Sequence, residues 1–203
     1  MSIAAITLDA DEDPINVFVR WLLEAKVLDE DFYNVTAFAT ADSSGCPNVR
    51  MMLLKKVDES GLFFFSNEDS DKGREIAENP KAAFVLHLRQ LKRQIRGRGG
   101  IERLSVEDAD RYFATRPRES QIGAWVSAQS RPLPDQFTIE RSFKKVAEQY
   151  FGKSVPRPPY WVGYRLLPLV IEFWLEKPYR LHERLRYSRE RVEDLWETAL
   201  LYP

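Results

Sequence analysis

Polar and cationic side chains surround a short apolar patch in residues 116–130, which read RPRESQIGAWVSAQS. An ordinary amphipathic helix separates its polar and apolar faces and does not require this mixture. Arginine and hydroxyl side chains bind phosphate well, because their hydrogen bonds to it are charge-assisted. The segment therefore indicates a site for a phosphorylated, flat ligand. The polar residues that carry this indication are Arg116, Arg118, Ser120, Gln121, Gln129 and Ser130.

Further basic residues cluster on two predicted strands and at one predicted helix start. The net charge of the chain is −1, so it exerts no general attraction on anions, and these clusters are local excesses. They favour phosphate binding, although a solvated face with scattered ion pairs is the alternative. The residues are Arg50, Lys55 and Lys56 on one strand, Lys72 after Ser70 at the helix start, and Lys92, Arg93, Arg96 and Arg98 on another strand.

A third group lies in the C-terminal segment 180–184, which reads RLHER. We expect a strand over 180–188, and alternate residues of a strand share one face. Arg180, His182 and Arg184 would then point the same way. Three such groups repel one another unless an anion or an electron-rich ligand lies between them. This spacing makes His182 a candidate functional residue, with an ordinary core or surface histidine as the alternative.

Other kinds of site lack the residues that they require. The glycine-rich stretch 96–100 lies within a strand pattern, which predicts a bulge or a close backbone approach and not a dinucleotide loop. His87, His182 and Cys46 do not have the spacing of zinc ligands, so we expect no metal. Cys46 has no activating partner in the sequence, and no aromatic-interleaved motif indicates RNA binding.

The bulk properties favour one globular domain in a reducing compartment. The chain has 203 residues, of which 44% are hydrophobic and 30% charged, enough for a packed core. A single cysteine excludes an internal disulfide. The N-terminus lacks a signal-peptide pattern, and no apolar run approaches membrane-spanning length. We expect a cytoplasmic protein with a loose arm over residues 1–12 and one domain over 13–203, without membrane or nucleic-acid partners.

Short strands dominate the predicted secondary structure. Asp13 and Pro14 form a helix start, and apolar residues at helical spacing predict a helix over 14–28. Seven or eight short strands with helices in the gaps predict an α+β fold, mainly antiparallel β, that closes as a barrel. The strands are expected at 36–40, 49–57, 62–66, 82–88, 93–102, 161–167, 170–174 and 180–188, and further helices at 70–79, 105–115 and 135–151.

Together these residues resemble the pyridoxamine 5′-phosphate oxidase family in order over residues 14–196. Each motif alone is weak, but their combination is specific. The matching segments are 50–55 (RMMLLK), 70–72 (SDK), 93–94 (RQ), 112–117 (YFATRP), 120–125 (SQIGAW), 129–130 (QS), 172–174 (EFW) and 180–184 (RLHER).

The resemblance implies an FMN-binding split barrel with peripheral helices, and a homodimer with FMN at the subunit interface. By residue-to-residue match it implies catalytic roles for Arg180 and His182, which would lie over the substrate ring. It implies substrate binding by Lys55, Tyr112, Arg116, Ser120, Arg180 and His182. It implies FMN binding by Arg50, Met51, Met52, Leu53, Leu54, Lys55, Phe65, Ser66, Lys72, Gln94, Gln129, Ser130, Trp174 and Arg184.

The implied reaction is the oxidation of pyridoxamine or pyridoxine 5′-phosphate to pyridoxal 5′-phosphate. A hydride passes from the 4′ carbon to FMN, and O₂ reoxidises the flavin to give H₂O₂. The flavin carries out the difficult step, while the protein provides orientation and charge. In this interpretation Arg116 and Ser120 hold the substrate phosphate and Gln129 and Ser130 the flavin, with residues 122–125 as packing between them.

The sequence departs from the family pattern at several positions. Asp71 stands where the family usually has an arginine near the flavin phosphate, and the C-terminal residues 200–203 read LLYP in place of Arg-Leu-x-Pro. Three alternatives therefore stay open. They are a phenazine-biosynthesis type of flavin oxidase, a non-catalytic FMN- or pyridoxal-phosphate-binding protein, and a reductase that uses a reduced flavin or deazaflavin.

Overall fold

One curled antiparallel sheet of nine strands organises the protein in the computed structural model, which describes residues 8–203. The strand order is β2-β1-β5-β6-β7-β4-β3, with β8 paired to β7 and β9 to β8. The strands are β1 (Val35–Ala41), β2 (Pro47–Leu53), β3 (Lys56–Asp58), β4 (Gly61–Asn67), β5 (Lys81–Leu88), β6 (Arg93–Arg103), β7 (Trp161–Leu175), β8 (Glu183–Ser188) and β9 (Glu197–Leu200). The predicted mainly antiparallel α+β fold is confirmed.

Five helices flank the described part of the sheet, and three of them begin where the sequence predicted helix starts. Asp13, Ser70 and Ser105 each accept a hydrogen bond from a backbone N–H of the first turn, as capping requires. The fourth helix follows Pro117, has no side-chain cap and was not predicted from the sequence. The helices are α1 (Pro14–Leu28), α2 (Asp71–Glu78), α3 (Val106–Ala114), α4 (Arg118–Val126) and α5 (Thr138–Gln149).

Two apolar clusters fix the positions of these elements. In the larger, α1 packs on the sheet, where the ring of Phe18 stacks on Phe84 and that of Trp21 meets Phe173 edge to face. The smaller cluster joins the buried residues Phe113, Ile122, Val155 and Trp161. It holds α3, α4 and α5 together and anchors them against the start of β7. These three helices therefore have fixed positions relative to the sheet.

The predicted strand over 49–57 is wrong, because the chain leaves the β1 ladder after Leu53. Leu54 is 3% exposed and belongs to the core, and Lys55 N–H donates to the Phe63 carbonyl at 2.9 Å. Because the Leu54 side chain is buried in the core, the backbone leaves the ladder at this residue, and the predicted strand is two strands, β2 and β3. Arg50, Lys55 and Lys56 consequently do not lie on one strand.

The predicted strand over 180–188 begins late, at Glu183. Pro178 opens a 3₁₀ turn, in which Tyr179 and Arg180 take left-handed conformations with φ of 59° and 61°. Proline lacks the N–H that a strand ladder needs, which explains the interruption. Arg180, His182 and Arg184 therefore do not share a strand face, and that prediction is wrong. The two strands predicted over 161–174 are one strand, β7, and β9 was not predicted.

The glycines of β6 confirm the predicted close backbone approach. A Cβ on Gly99 would lie 1.9 Å from the Leu167 carbonyl oxygen, and one on Gly97 2.4 Å from that of Val170. The register between β6 and β7 also shifts at Arg98/Gly99, as a bulge requires.

The N-terminal arm predicted over 1–12 falls partly on residues 1–7, which lie outside the described residues. Within the rest of the arm, Leu8 N–H donates to Glu183 Oε1 at 2.6 Å, and Tyr187 Oη donates to the Asp9 carbonyl at 2.8 Å. The division into an arm and one domain stays a prediction. Over residues 8–203, no helix is both long enough and apolar enough to span a bilayer.

Candidate active site

A cavity of about 760 Å³ lies where β2, β4, α2, α3 and α4 meet, and we call it the cationic cavity. It brings together most of the site residues predicted from the sequence. The exception within the stretch 50–55 is Leu54, whose side chain belongs to the core. The predicted residues that line the cavity are Arg50, Met51, Met52, Leu53, Lys55, Phe65, Ser66, Lys72, Tyr112, Arg116, Ser120, Gln129 and Ser130.

Lys72 is a buried cation in this cavity, with 7% exposure. Its Nζ donates to Ser66 Oγ at 3.1 Å, Ser70 Oγ at 3.2 Å and Gln129 Oε1 at 2.6 Å. Burial, and then the charge of Arg50, lower the pKa of Lys72 to about 8. Within residues 8–203 it forms no ion pair, so an anion in the cavity would stabilise its charged form.

Arg50 reaches the same cavity from β2 and is held there by other side chains. Its guanidinium donates to Glu75 Oε2 at 3.0 Å, to the Phe38 carbonyl at 3.3 Å and to Thr40 Oγ1. Burial alone would raise the pKa of Glu75, but hydrogen bonds from Thr40, Asn48 and Arg50 lower it below its usual range. Glu75 is therefore ionised and fixes the direction of the Arg50 side chain.

Arg116 and Lys55 form a second pair of cations in the cavity. Burial lowers the pKa of Arg116, and burial followed by the charge of Arg116 lowers that of Lys55. Arg116 Nη1 is buried and has no hydrogen-bond partner among the described residues. An unpaired buried guanidinium nitrogen is costly, which indicates that an anionic ligand completes this group.

Aromatic rings form one wall beside these cations. Phe65 stacks between Tyr112 and Trp161, with ring centroids 3.9 Å and 5.2 Å apart, and the Arg116 guanidinium lies 4.8 Å from the Trp161 ring. Burial raises the pKa of the Tyr112 hydroxyl, so this group stays a neutral hydrogen-bond donor. The arrangement suits a planar ligand that carries a phosphate.

Several residues of the cavity were not assigned a role from the sequence. No sequence pattern marked Trp161 as a site residue, because it follows a proline-rich loop and belongs to no recognisable motif. Asp71 was noted as a departure and does line the cavity, where it pairs with Arg74 and its N–H donates to Ser130 Oγ at 3.2 Å. The unassigned lining residues are Asn48, Asp71, Thr115, Pro117 and Trp161.

Three predicted cofactor residues lie elsewhere, in one row across the sheet. Gln94 of β6 is directly opposite Trp174 of β7, which is directly opposite Arg184 of β8. Residues paired in this way project from the same face of a sheet. Gln94 and Arg184 also line a second cavity of about 850 Å³.

No member of this row lines the cationic cavity of the same chain. Phe65, which lines that cavity, pairs with Gly163 near the start of β7, whereas Trp174 lies eleven residues further along the strand. The chain therefore presents the predicted cofactor residues as two separate groups, at opposite ends of β7.

Arg180 and His182 lie near the row through the turn before β8. The His182 ring is 4.5 Å from the Trp174 ring, and its Nδ1 accepts the Lys177 N–H at 3.3 Å. Arg180 is exposed on the 3₁₀ turn. The two predicted catalytic residues are thus brought close to the Gln94–Trp174–Arg184 row, and not to the cationic cavity of their own chain.

Two protein-family sequence models match the chain. Residues 31–150 match the model described as pyridoxamine 5′-phosphate oxidase, and residues 161–203 match the pyridoxine 5′-phosphate oxidase C-terminal dimerisation region. The pyridoxine/pyridoxamine 5′-phosphate oxidase of Azorhizobium caulinodans is 47% identical, over 96% of this chain and 92% of its own length. The enzyme of the same name from Maricaulis maris is also 47% identical, over 98% of this chain and 90% of its own length.

Solved structures show a similar fold over nearly the whole chain. PhzG from Burkholderia lata 383, in complex with tetrahydrophenazine-1-carboxylic acid, has a TM-score of 0.90 and 31% identity, over 98% of this chain and all of its own. A pyridoxamine 5′-phosphate oxidase-related FMN-binding protein from Nostoc punctiforme has a TM-score of 0.74 and 14% identity, over 95% of this chain and all of its own. The second likeness concerns the fold alone.

Proposed function

The chain belongs to the pyridoxamine 5′-phosphate oxidase family, and we propose that it oxidises pyridoxamine and pyridoxine 5′-phosphates to pyridoxal 5′-phosphate with FMN as cofactor. The amine reaction consumes O₂ and water and yields the aldehyde, ammonia and H₂O₂. The alcohol reaction consumes O₂ and yields the aldehyde and H₂O₂. The observation that carries the proposal is the cationic cavity, where the buried cation Lys72 and the half-buried Arg116 have no carboxylate partner among the described residues.

The residues of the cationic cavity fit FMN. Lys72 and Arg50 supply positive charge for its phosphate, and Gln129 and Ser130 supply polar groups at the same cavity. FMN, when bound, takes up two electrons from the substrate and passes them to O₂. Lys72 Nζ, already hydrogen-bonded to Ser66 and Gln129, needs little rearrangement to bind a phosphate oxygen.

Lys55, Tyr112, Arg116 and Ser120 are assigned to the substrate phosphate. The four side chains line one cavity, and Arg116 offers a nitrogen that has no protein partner in the described structure. Anchoring the phosphate fixes the position of the pyridine ring, which brings the 4′ carbon into reach of the cofactor. The stacked rings of Phe65, Tyr112 and Trp161 limit the access of water on this side.

A homodimer accounts for the separation of the two groups of predicted residues. The match of residues 161–203 to a C-terminal dimerisation region supports this assembly. We assign the Gln94–Trp174–Arg184 row of one protomer to the cationic cavity of its partner, so that each active site uses both chains. We also propose a cytoplasmic location, which the single, exposed and unpaired cysteine Cys46 supports.

The phenazine-type oxidase is the second candidate, since PhzG has a closely similar fold. Its ligand in that structure, a tetrahydrophenazine carboxylic acid, carries no phosphate. Its single carboxylate has two oxygens and one negative charge, so it needs fewer donors than the four side chains Lys55, Tyr112, Arg116 and Ser120 offer to a phosphate dianion. The phosphate-oxidase relatives are also more similar, at 47% against 31% identity.

A direct assay tests the proposed function. Apoprotein is titrated with FMN, and the complex is then given pyridoxamine 5′-phosphate in air. We expect flavin binding, followed by equal amounts of pyridoxal 5′-phosphate and H₂O₂. Flavin binding without turnover would favour a binding protein, and turnover of unphosphorylated rings alone would favour the phenazine-type oxidase.

Replacing Arg180 tests its assignment to the substrate ring. Because Arg180 is exposed on a turn, Arg180→Ala should leave folding and FMN affinity unchanged. We expect kcat to fall by about 10- to 100-fold, as is typical for a positioned charged group near the reacting atoms. The measurement is steady-state oxidation of pyridoxamine 5′-phosphate at saturating FMN. Arg191→Ala, which removes an arginine that is 71% exposed and lines neither cavity, is the control, and an equal loss in both variants would contradict the role.

Replacing Asp71 tests the cost of its departure from the family pattern. Asp71 places a negative charge on the wall of a cavity that is assigned to a phosphate, and it also pairs with Arg74. Asp71→Arg should tighten FMN binding by about 3- to 30-fold, since it replaces repulsion with attraction. Asp69→Arg makes the same charge change at an exposed position that does not line the cavity. Equal tightening in both variants, measured by fluorescence titration, would show a general charge effect.

A further inference from the structure

A buried carboxylate, Glu172 of β7, lies between arginines of the two neighbouring strands and is 3% exposed. Its Oε2 accepts from Arg96 of β6 at 3.0 Å (Nε) and 2.6 Å (Nη2), and its Oε1 accepts from Arg184 Nε of β8 at 2.9 Å. Arg96 is directly opposite Glu172, and Arg184 lies diagonally, opposite Trp174. One side chain thus connects three strands on the face that carries the Gln94–Trp174–Arg184 row.

Arg184 is also held from its other side by the end of the chain. Its Nη1 donates to the Tyr202 carbonyl at 2.8 Å, and its own carbonyl accepts the Leu201 N–H at 3.0 Å. Within residues 8–203, its remaining nitrogen, Nη2, has no hydrogen-bond partner. The guanidinium is therefore fixed in direction and keeps one free donor.

The negative charge of Glu172 holds several neighbouring arginines together. Arg96, Arg98, Arg184 and Arg186 all line the second cavity, where Glu172 is the one carboxylate among the described lining residues. Burial alone would raise the pKa of Glu172, but hydrogen bonds from Arg184 and Arg96 outweigh this and lower it. Without the carboxylate, these arginines would repel one another and move apart.

We propose that Glu172 is a positioning residue for cofactor binding, which orients Arg184 so that its free Nη2 is available to FMN. The proposal rests on the assignment of FMN to this protein. Arg184 is one of the side chains assigned to the cofactor, whereas Glu172 is too buried and too fully paired to contact it. Its effect on FMN must therefore pass through Arg184.

The substitution Glu172→Gln removes this orientation with little change in size. Arg96 and Arg184 donate to different oxygens of Glu172, and in the amide one of these two positions becomes an NH₂ group, which donates and cannot accept. We expect the Kd for FMN, measured by flavin fluorescence in apoprotein, to rise about tenfold or more. Glu183→Gln is the matched control, because Glu183 is also buried and pairs with Lys177 at 3.2 Å on the adjacent strand. We expect its FMN affinity to change less than about twofold.

A double-mutant cycle separates positioning from general stability. In an Arg184→Ala background, Glu172→Gln should weaken FMN binding by less than about twofold, since the group through which it acts is gone. The same fold-change in both backgrounds, or no change in either, would overturn the proposal. If Glu172→Gln does not fold, Glu172→Asp gives the same cycle with the charge kept and the reach shortened. A wild-type protein that fails to bind FMN would instead refute the proposed function.

Discussion

Arg116→Ala should raise the KM for pyridoxamine 5′-phosphate by about 10- to 150-fold, the usual range for losing hydrogen bonds to a charged group. Arg116 has a buried nitrogen that hydrogen-bonds to no residue in the described range 8–203, which makes it the strongest candidate to bind the substrate phosphate. Since the phosphate does not react, kcat should change much less than KM. FMN affinity should also be unchanged, because FMN is assigned to other residues of the cavity.

The control for this variant is Arg111→Ala. Arg111 lies on α3 close to Tyr112, but its side chain is 76% exposed and pairs with Asp108 outside the cavity. This variant tests whether the loss of one positive charge near α3 is by itself sufficient to raise the KM. If both variants raise KM equally, or if Arg116→Ala raises the KM for an unphosphorylated analogue as strongly, Arg116 does not bind the phosphate.

Lys72→Met should have two opposite effects, on FMN binding and on stability. The Kd for FMN should rise by about 10- to 150-fold, because a charged hydrogen-bond donor is lost. The apoprotein should become more stable, since the burial that lowers the pKa of Lys72 from 10.5 to about 8 corresponds to a penalty on the order of 3 kcal/mol. Fluorescence titration and thermal melting of the apoprotein measure the two effects. A variant that loses both FMN affinity and stability would indicate a purely structural role.

The pH dependence of FMN binding follows from the same side chain. Lys72 is charged below its pKa of about 8 and loses its proton above it, so the apoprotein becomes a weaker phosphate site as pH rises. Between pH 7 and pH 9 we expect Kd to rise by up to about tenfold, while the phosphate stays a dianion. Lys72→Arg keeps the charge at both pH values and should flatten the profile. A profile that is identical in both proteins would assign the titration to another group.

The sequence was sufficient to predict most residues of the cationic cavity, some from local signals and the others from the family resemblance. Ser70 caps α2 and thereby places Lys72. In the segment 116–130, Arg116, Ser120, Gln129 and Ser130 line the cavity, whereas Arg118 and Gln121 donate to backbone carbonyls outside it. The shared strand face of Arg180, His182 and Arg184 could not be predicted correctly. It depended on where β8 begins, and Pro178 with two left-handed residues delays that start. The break after Leu53 was missed for a similar reason, since the burial of Leu54 is a tertiary effect.

The separation of the site into two groups was also outside the reach of sequence patterns. Gln94 is far from Trp174 and Arg184 in sequence, and the register of β6, β7 and β8 places all three in one row. Their distance from the cationic cavity depends on the length of β7, which was predicted as two short strands. The division of the predicted site residues into the cationic cavity and the Gln94–Trp174–Arg184 row thus follows from the observed strand pairing.

Subunit complementation tests most directly whether each active site uses both chains. If Lys72 and Arg184 both bind the cofactor, the Lys72→Met homodimer and the Arg184→Ala homodimer should each be inactive at limiting FMN. In a mixed dimer, one site would carry both substitutions, and the other would combine the intact cationic cavity of one chain with the intact row of its partner. We predict that mixing restores activity and FMN binding at one site per mixed dimer. Mixed dimers that form, as shown by native mass, but stay inactive and flavin-free would contradict the account.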